Sequence, residues 1–89
     1  MNLEALRARI DEIDRQLLTL LDERMRCATD AAKFKGSIRD EARERQILQT
    51  VAAMSLANLD PQFRTRLYEM IFAEGVRLQE NIMKREGKD

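Results

Sequence analysis

The stretch LEALRARIDEIDRQLLTLLDERMRCATDAAKFK, residues 3–35, decides the fold. Its apolar residues fall at Leu3, Leu6, Ile10, Ile13, Leu17 and Leu20, then at Cys27, Ala31 and Phe34. Steps of three and four alternate, which is the seam of a helix that packs against other helices. Gly36 stops it just after Lys33 and Lys35, cations that suit the negative end of a helix. About 32 residues at ~1.5 Å each give a rod of roughly 48 Å. A compact globule of 89 residues has a radius of gyration near ~12 Å, hence a diameter of roughly 30 Å. The helix outruns the globule it would belong to. Its far half must bury its seam against something other than the rest of its own chain. A symmetric homodimer of long helices answers this most simply; an extended monomeric hairpin is the other arrangement.

Outward from that helix, the chain reads as helix throughout. It has three Gly and one Pro, and Ala, Leu, Glu, Arg and Gln are good helix formers. Ser37-Ile-Arg-Asp40 has the spacing of a capping box and offers one start for a second helix. Asp40 is the other candidate cap. The second stripe runs through Ile47, Leu48, Val51 and Met54 and fades near Asn58. Asp60-Pro61 is a cap followed by proline at the first helical position, so a third helix starts there. Its stripe is Phe63, Leu67, Met70, Ile71, Leu78 and Ile82, and the polar tail from Arg85 is expected to fray. The expected architecture is all-α: three helices, long, short and medium, in one domain spanning 1–89, paired as an intertwined homodimer.

Several polar residues stand where apolar ones are expected. The first seam calls for an apolar residue at position 24 and has Arg24. Arg24, Ala28, Ala31 and Lys35 share one stripe, so two cations flank small side chains. That pattern makes a cavity with a positive charge at each end. The plainer alternative is an arginine that snorkels or pairs with a glutamate of another helix. On the second helix Asp40 and Glu44 extend the line of Ile47 and Val51, with Arg43 beside them. Acidity at a helix start is favoured by the dipole; Glu44 lies a turn further in. Gly75 interrupts the third helix at a cost of about 1 kcal/mol against Ala, which points to close packing or an adjacent ligand. Gln79, one turn on, donates a hydrogen bond without needing a proton of its own titration. If the three helices surround one cavity, these residues converge there. Cations dominate, so the expected ligand is a small polyanion such as a dicarboxylate.

Composition excludes other chemistries. There is no His, and one Cys, Cys27. That removes imidazole bases, the usual triads and zinc clusters. Sixteen basic residues balance sixteen acidic ones, so there is no broad footprint for nucleic acid. No apolar run approaches the ~20 residues of a membrane span. The start, Met-Asn-Leu-Glu-Ala, lacks the regions of a signal peptide. A cytoplasmic, soluble protein without cofactor or metal is expected.

The ordered phrases Leu6-Arg-Ala-Arg-Ile-Asp11 with Ile13-Asp14, Leu21-Asp-Glu-Arg-Met25, Ala32-Lys-Phe-Lys35, Arg39-Asp-Glu-Ala-Arg-Glu44 and Glu74-Gly-Val-Arg-Leu-Gln79 resemble the all-helical chorismate mutases. The resemblance runs from about Leu3 to Met83. It implies a dimer whose long first helices cross-pair and build two equivalent sites. By position, Arg7 would reach into the partner's site and bind one substrate carboxylate, and Arg24 would bind the other. Lys35 and Gln79 would donate to the ether oxygen. Asp40 and Glu44 would lie near the ring hydroxyl, and Arg43 would support the substrate or that acidic pair.

The resemblance implies a Claisen rearrangement of chorismate to prephenate, which needs no acid, base, nucleophile or metal. Many members have Ser or Thr where this chain has Gly75, and the Gly36-Ser37-Ile38 connection is shorter than in some. Relatives of the same scaffold include isochorismate pyruvate-lyases and 4-amino-4-deoxychorismate mutases. A non-catalytic helical dimerisation module also explains the long helix, but not Arg24 and Lys35 around two alanines.

Overall fold

The computed structural model describes residues 2–35 and 39–87, apart from the side chain of Lys35. Three helices follow in order: α1 (Leu3–Lys35), α2 (Glu41–Ala53) and α3 (Pro61–Glu86). Each start has a local cause. The Asn2 side chain accepts from the Ala5 amide at 2.8 Å, satisfying one orphan donor of α1. Asp40 caps α2 by accepting from the Arg43 amide at 3.1 Å. Of the two starts read from sequence, Asp40 is therefore the cap; Ser37 lies outside the described residues. Asp60 accepts from the Gln62 amide at 3.1 Å, with Pro61 at the first helical position. The tail expected to fray from Arg85 is helical through Glu86, where the Gly87 amide closes the last turn on the Met83 carbonyl at 2.8 Å. Met54, read as part of the second stripe, lies just past α2 and is half exposed.

α3 is the element against which both others pack among the described residues. The face α1 turns inward is Leu21, Arg24, Met25, Ala28, Thr29 and Ala32. The seam read from sequence ran instead through Cys27, Ala31 and Phe34, which are exposed; Phe34 is 92% exposed. The same correction applies to α3. Phe63 and Met70 are exposed, while the buried line passes through Arg64, Leu67, Tyr68 and Ile71. A three-and-four pattern admits two adjacent stripes, and packing chooses between them.

Every described residue of α1 before Leu21 is exposed. Leu3, Leu6, Ile10, Ile13, Leu17 and Leu20 are each more than two-fifths exposed. The chain measures 57 × 29 × 17 Å, with a radius of gyration of 16.5 Å, against ~12 Å for a compact chain of this length. Its accessible surface is 7491 Å². A compact monomer of 10.4 kDa would present roughly 5,400 Å². The exposed first half of α1, with its apolar seam, contributes to this excess.

Candidate active site

A cavity of about 280 Å³ lies among the C-terminal half of α1, the start of α2 and the middle of α3. Arg24 and Ala28 come from α1, Asp40, Arg43, Glu44 and Ile47 from the start of α2, and Ile71, Phe72, Gly75, Val76 and Gln79 from α3. Six of the residues singled out by sequence thus meet at one place: Arg24, Asp40, Arg43, Glu44, Gly75 and Gln79. The other two are Lys35 and Arg7. Lys35 closes α1, and its side chain lies outside the described residues. Arg7 stands in the exposed half of α1, roughly 25 Å along the axis from Arg24 at ~1.5 Å per residue. No arginine side chain spans that distance, so Arg7 does not reach this cavity within its own chain.

Arg24 is half-buried and pairs with no carboxylate among the described residues. Its guanidinium lies over two aromatic rings, 5.5 Å from the Tyr68 centroid and 5.8 Å from the Phe72 centroid. The rings meet edge to face, 6.1 Å apart at 64°. The ring faces attract the cation through their quadrupoles and leave its in-plane N–H donors unused. The signal for this support is present in the chain: Tyr68 and Phe72 are one helical turn apart, hence on one face.

Gln79 carries a second unmet group. Its Oε1 is buried and accepts from nothing among the described residues. The amide ends exchange places by a half-turn of the terminal torsion, so the same position can present Nε2 as a donor. Gly75, one turn earlier, would meet nothing within 4 Å if it carried a Cβ. Close packing is therefore not the reason for this glycine. It faces the cavity instead.

The α2 charges are arranged by their own ladder. Asp40 spends Oδ1 on the Arg43 amide. The Arg43 guanidinium donates to Gln46 Oε1 at 3.0 Å rather than to either carboxylate. Glu44 is served by Arg39, which sequence reading did not single out. Nη2 donates to Oε1 at 2.7 Å and Nε to Oε2 at 3.4 Å. This hydrogen bond, then the Coulombic attraction of Glu44, holds the Arg39 guanidinium above the ordinary arginine value. Arg39 precedes the first helical residue, so helical spacing could not pair it with Glu44.

Arg64 was also missed. It is 4% exposed and donates to the carbonyls of Val51 (2.7 Å), Ala52 (3.3 Å), Met54 (2.9 Å), Leu56 (3.1 Å) and Leu59 (2.7 Å). It sits one turn before Leu67 and Tyr68 on the buried line, the same signal of misplaced polarity that marked Arg24.

A family model described as chorismate mutase type II matches residues 6–80. Two curated relatives are bifunctional chorismate mutase/prephenate dehydratases, from Enterobacter agglomerans and Escherichia coli K12. They are 36% and 34% identical over 86 and 85 residues, covering 91% and 90% of this chain. The chain spans 22% of the length of each. Among solved structures, the crystal structure of chorismate mutase from Helicobacter pylori in complex with prephenate matches with a TM-score of 0.84. The identity is 34%, over 92% of this chain and 93% of that one.

Proposed function

The chain belongs to the type II chorismate mutase family, and from that premise we propose that it converts chorismate to prephenate in the cavity around Arg24. The observation that carries the reading is a pair of unmet polar groups in one cavity. Among the described residues, a half-buried guanidinium has no counter-ion and the buried Oε1 of Gln79 has no partner. Desolvated groups left this way are costly to the folded chain. A dicarboxylate with an ether oxygen between its charges satisfies both.

In the rearrangement the ether C–O bond breaks as the enolpyruvyl methylene bonds to the ring carbon that bears the carboxylate. Nothing enters or leaves. The protein's task is to hold the chair-like conformer and to stabilise negative charge growing on the ether oxygen. Arg24 binds one carboxylate. Gln79, turned to present Nε2, donates to the ether oxygen, with Lys35 as its partner donor. Asp40 and Glu44 accept from the ring hydroxyl, Arg43 supports the substrate, and Gly75 leaves room beside it. No step calls on a cofactor or a metal.

The second carboxylate needs a further cation beside Arg24, since Arg43 in the same wall already donates to Gln46. We assign it to Arg7 of a partner chain in an intertwined homodimer. The apolar seam of α1 is exposed along its first half, and the surface excess over a compact monomer, roughly 2,100 Å² per chain and so about 4,200 Å² for two, is in the range that obligate homodimers bury. Residues 1–89 act as one mutase domain. The aligned portion of the bifunctional relatives is about a fifth of their length, and the mutase step alone is proposed here. No described helix is long and apolar enough to cross a membrane, and the cytoplasm is the proposed place of work.

Incubation of the purified protein with chorismate, isochorismate and 4-amino-4-deoxychorismate, with product identification, tests the assignment. Prephenate formed fastest supports it. Pyruvate from isochorismate alone makes the protein a lyase. No turnover of any of the three leaves a dimerisation module. Arg24→Leu should remove nearly all turnover, whereas a packing module would be unharmed or stabilised. Mixing Arg7→Ala with Arg24→Ala chains should restore one intact site per mixed dimer, and no recovery would refute the cross-chain donation.

A further inference from the structure

Glu44 forms part of the cavity wall, with its side chain 18% exposed. Both of its oxygens face one guanidinium, that of Arg39. Arg39 does not line the cavity; it closes on Glu44 from the solvent side, 55% exposed. Glu44 therefore reaches the cavity as half of a forked ion pair and not as an open anion. A carboxylate held this way keeps lone pairs for a neutral hydroxyl. It offers little net negative potential to a cation.

The neighbouring charges act in the same direction. Asp40 lies at the start of α2, where the helix dipole offsets its charge. Arg43 and Arg24 stand in the same wall. In the wall itself the guanidiniums of Arg24 and Arg43 match the carboxylates of Asp40 and Glu44, and behind it Arg39 lies between Glu44 and the charge of Glu41. No net negative charge is left facing the cavity. An ammonium entering this rim loses its hydration without gaining an unpaired counter-ion. A hydroxyl needs only the acceptor.

We propose that Arg39 is a specificity-determining residue: by pairing with Glu44 it makes the rim a host for a neutral hydroxyl on the substrate ring and a poor host for an ammonium at the same place. This rests on the mutase reading and deepens it, since it selects the 4-hydroxy over the 4-amino substrate.

The test compares kcat/KM for chorismate and for 4-amino-4-deoxychorismate in the parent, Arg39→Ala, Glu44→Gln and the double variant. Arg39→Ala releases one carboxylate charge. The preference for the hydroxyl substrate should fall about fivefold, the worth of two unit charges ~4 Å apart in water-like surroundings. In the Glu44→Gln background the same substitution should leave the ratio unmoved. Equal losses on both substrates, or a shift that persists without Glu44, overturn the proposal. Calorimetric Kd values for the two compounds give the ratio without turnover. A chain that binds both and forms no prephenate refutes the mutase reading, while the binding ratio still decides the role of Arg39. Binding of neither compound overturns both.

Discussion

Arg64→Met should be among the most damaging single substitutions in this chain, although the residue touches no cavity wall. Methionine keeps the length of the stem and removes all the donors. Five carbonyls between Val51 and Leu59 then lose their partner. Two of them, Val51 and Ala52, belong to the last turn of α2, whose carbonyls have no intrahelical donors. A hydrogen bond to a charged group contributes about 1.5–3 kcal/mol, but these share one guanidinium and do not add. The apolar replacement also avoids the cost of burying a charge. Each buried carbonyl left without a donor costs about 1–3 kcal/mol, and with water serving the more exposed ones the total is about 3–5 kcal/mol. A chain of 89 residues has roughly 4–13 kcal/mol in total. At about 4–8 °C per kcal/mol for a domain of this size, Tm should fall by roughly 12–40 °C. The assay is thermal unfolding by circular dichroism at one fixed protein concentration, because mass action moves the Tm of an oligomer. Arg64→Lys should fall between, since an ammonium has fewer donors and no fork. A Tm within about 4 °C of the parent, less than 1 kcal/mol on the same scale, would show that these carbonyls are well served without the guanidinium.

Three further outcomes follow from single observations. Gly75→Ala should raise stability by about 1 kcal/mol, since an added Cβ meets nothing within 4 Å; thermal unfolding decides, and a lower Tm would mean that the cavity closes on that position. The Glu74 carboxyl is held below its ordinary value by its hydrogen bond from Arg77, so the small stability it adds is complete above the unfolded glutamate pKa and is lost as pH falls through the lowered one. Carboxyl NMR should see Glu74 titrate at lower pH than other exposed glutamates, and Arg77→Gln should erase the difference. Leu17→Asp, on the exposed seam of α1, tests the proposed dimer: it should leave monomers in sedimentation and abolish the proposed turnover with them; a dimer that persists would place the interface elsewhere.

Much of this was legible in the sequence, and the misses have physical causes. Helix number, the Asp60-Pro61 start and the overlong first helix follow from local rules that need no partner. So does the gathering of Arg24, Asp40, Arg43, Glu44, Gly75 and Gln79, because three helices of known period can share only a few faces. The errors lie in the choice of stripe. Phe63, Met70 and Phe34 are apolar and exposed, and an apolar stripe states that a face favours burial without saying against what. Arg39 and Arg64 escaped notice because their partners are set by tertiary geometry. One reaches across a helix start, the other across a loop.

Arg24 and Arg64 show why residue type on a buried line is not enough to find a site. Both interrupt an apolar stripe, Arg64 buried and Arg24 half-buried. Arg64 is 4% exposed and donates from all three of its nitrogens to backbone carbonyls at 2.7–3.3 Å, so it is closed to a ligand and acts as a pin between α2 and α3. Arg24 is held by its flat face on Tyr68 and Phe72. That contact uses the charge and the plane but none of the N–H directions, which are the ones that recognise a carboxylate in forked geometry. An arginine held this way is oriented before a ligand arrives, and the ordering entropy is already spent. The rings contribute about 0.5–2 kcal/mol, less than one forked carboxylate contact would add in a water-poor place. Their use is to aim the guanidinium. Loss of the Phe72 ring should therefore weaken substrate binding more than it weakens the fold, and loss of Arg64 should do the reverse.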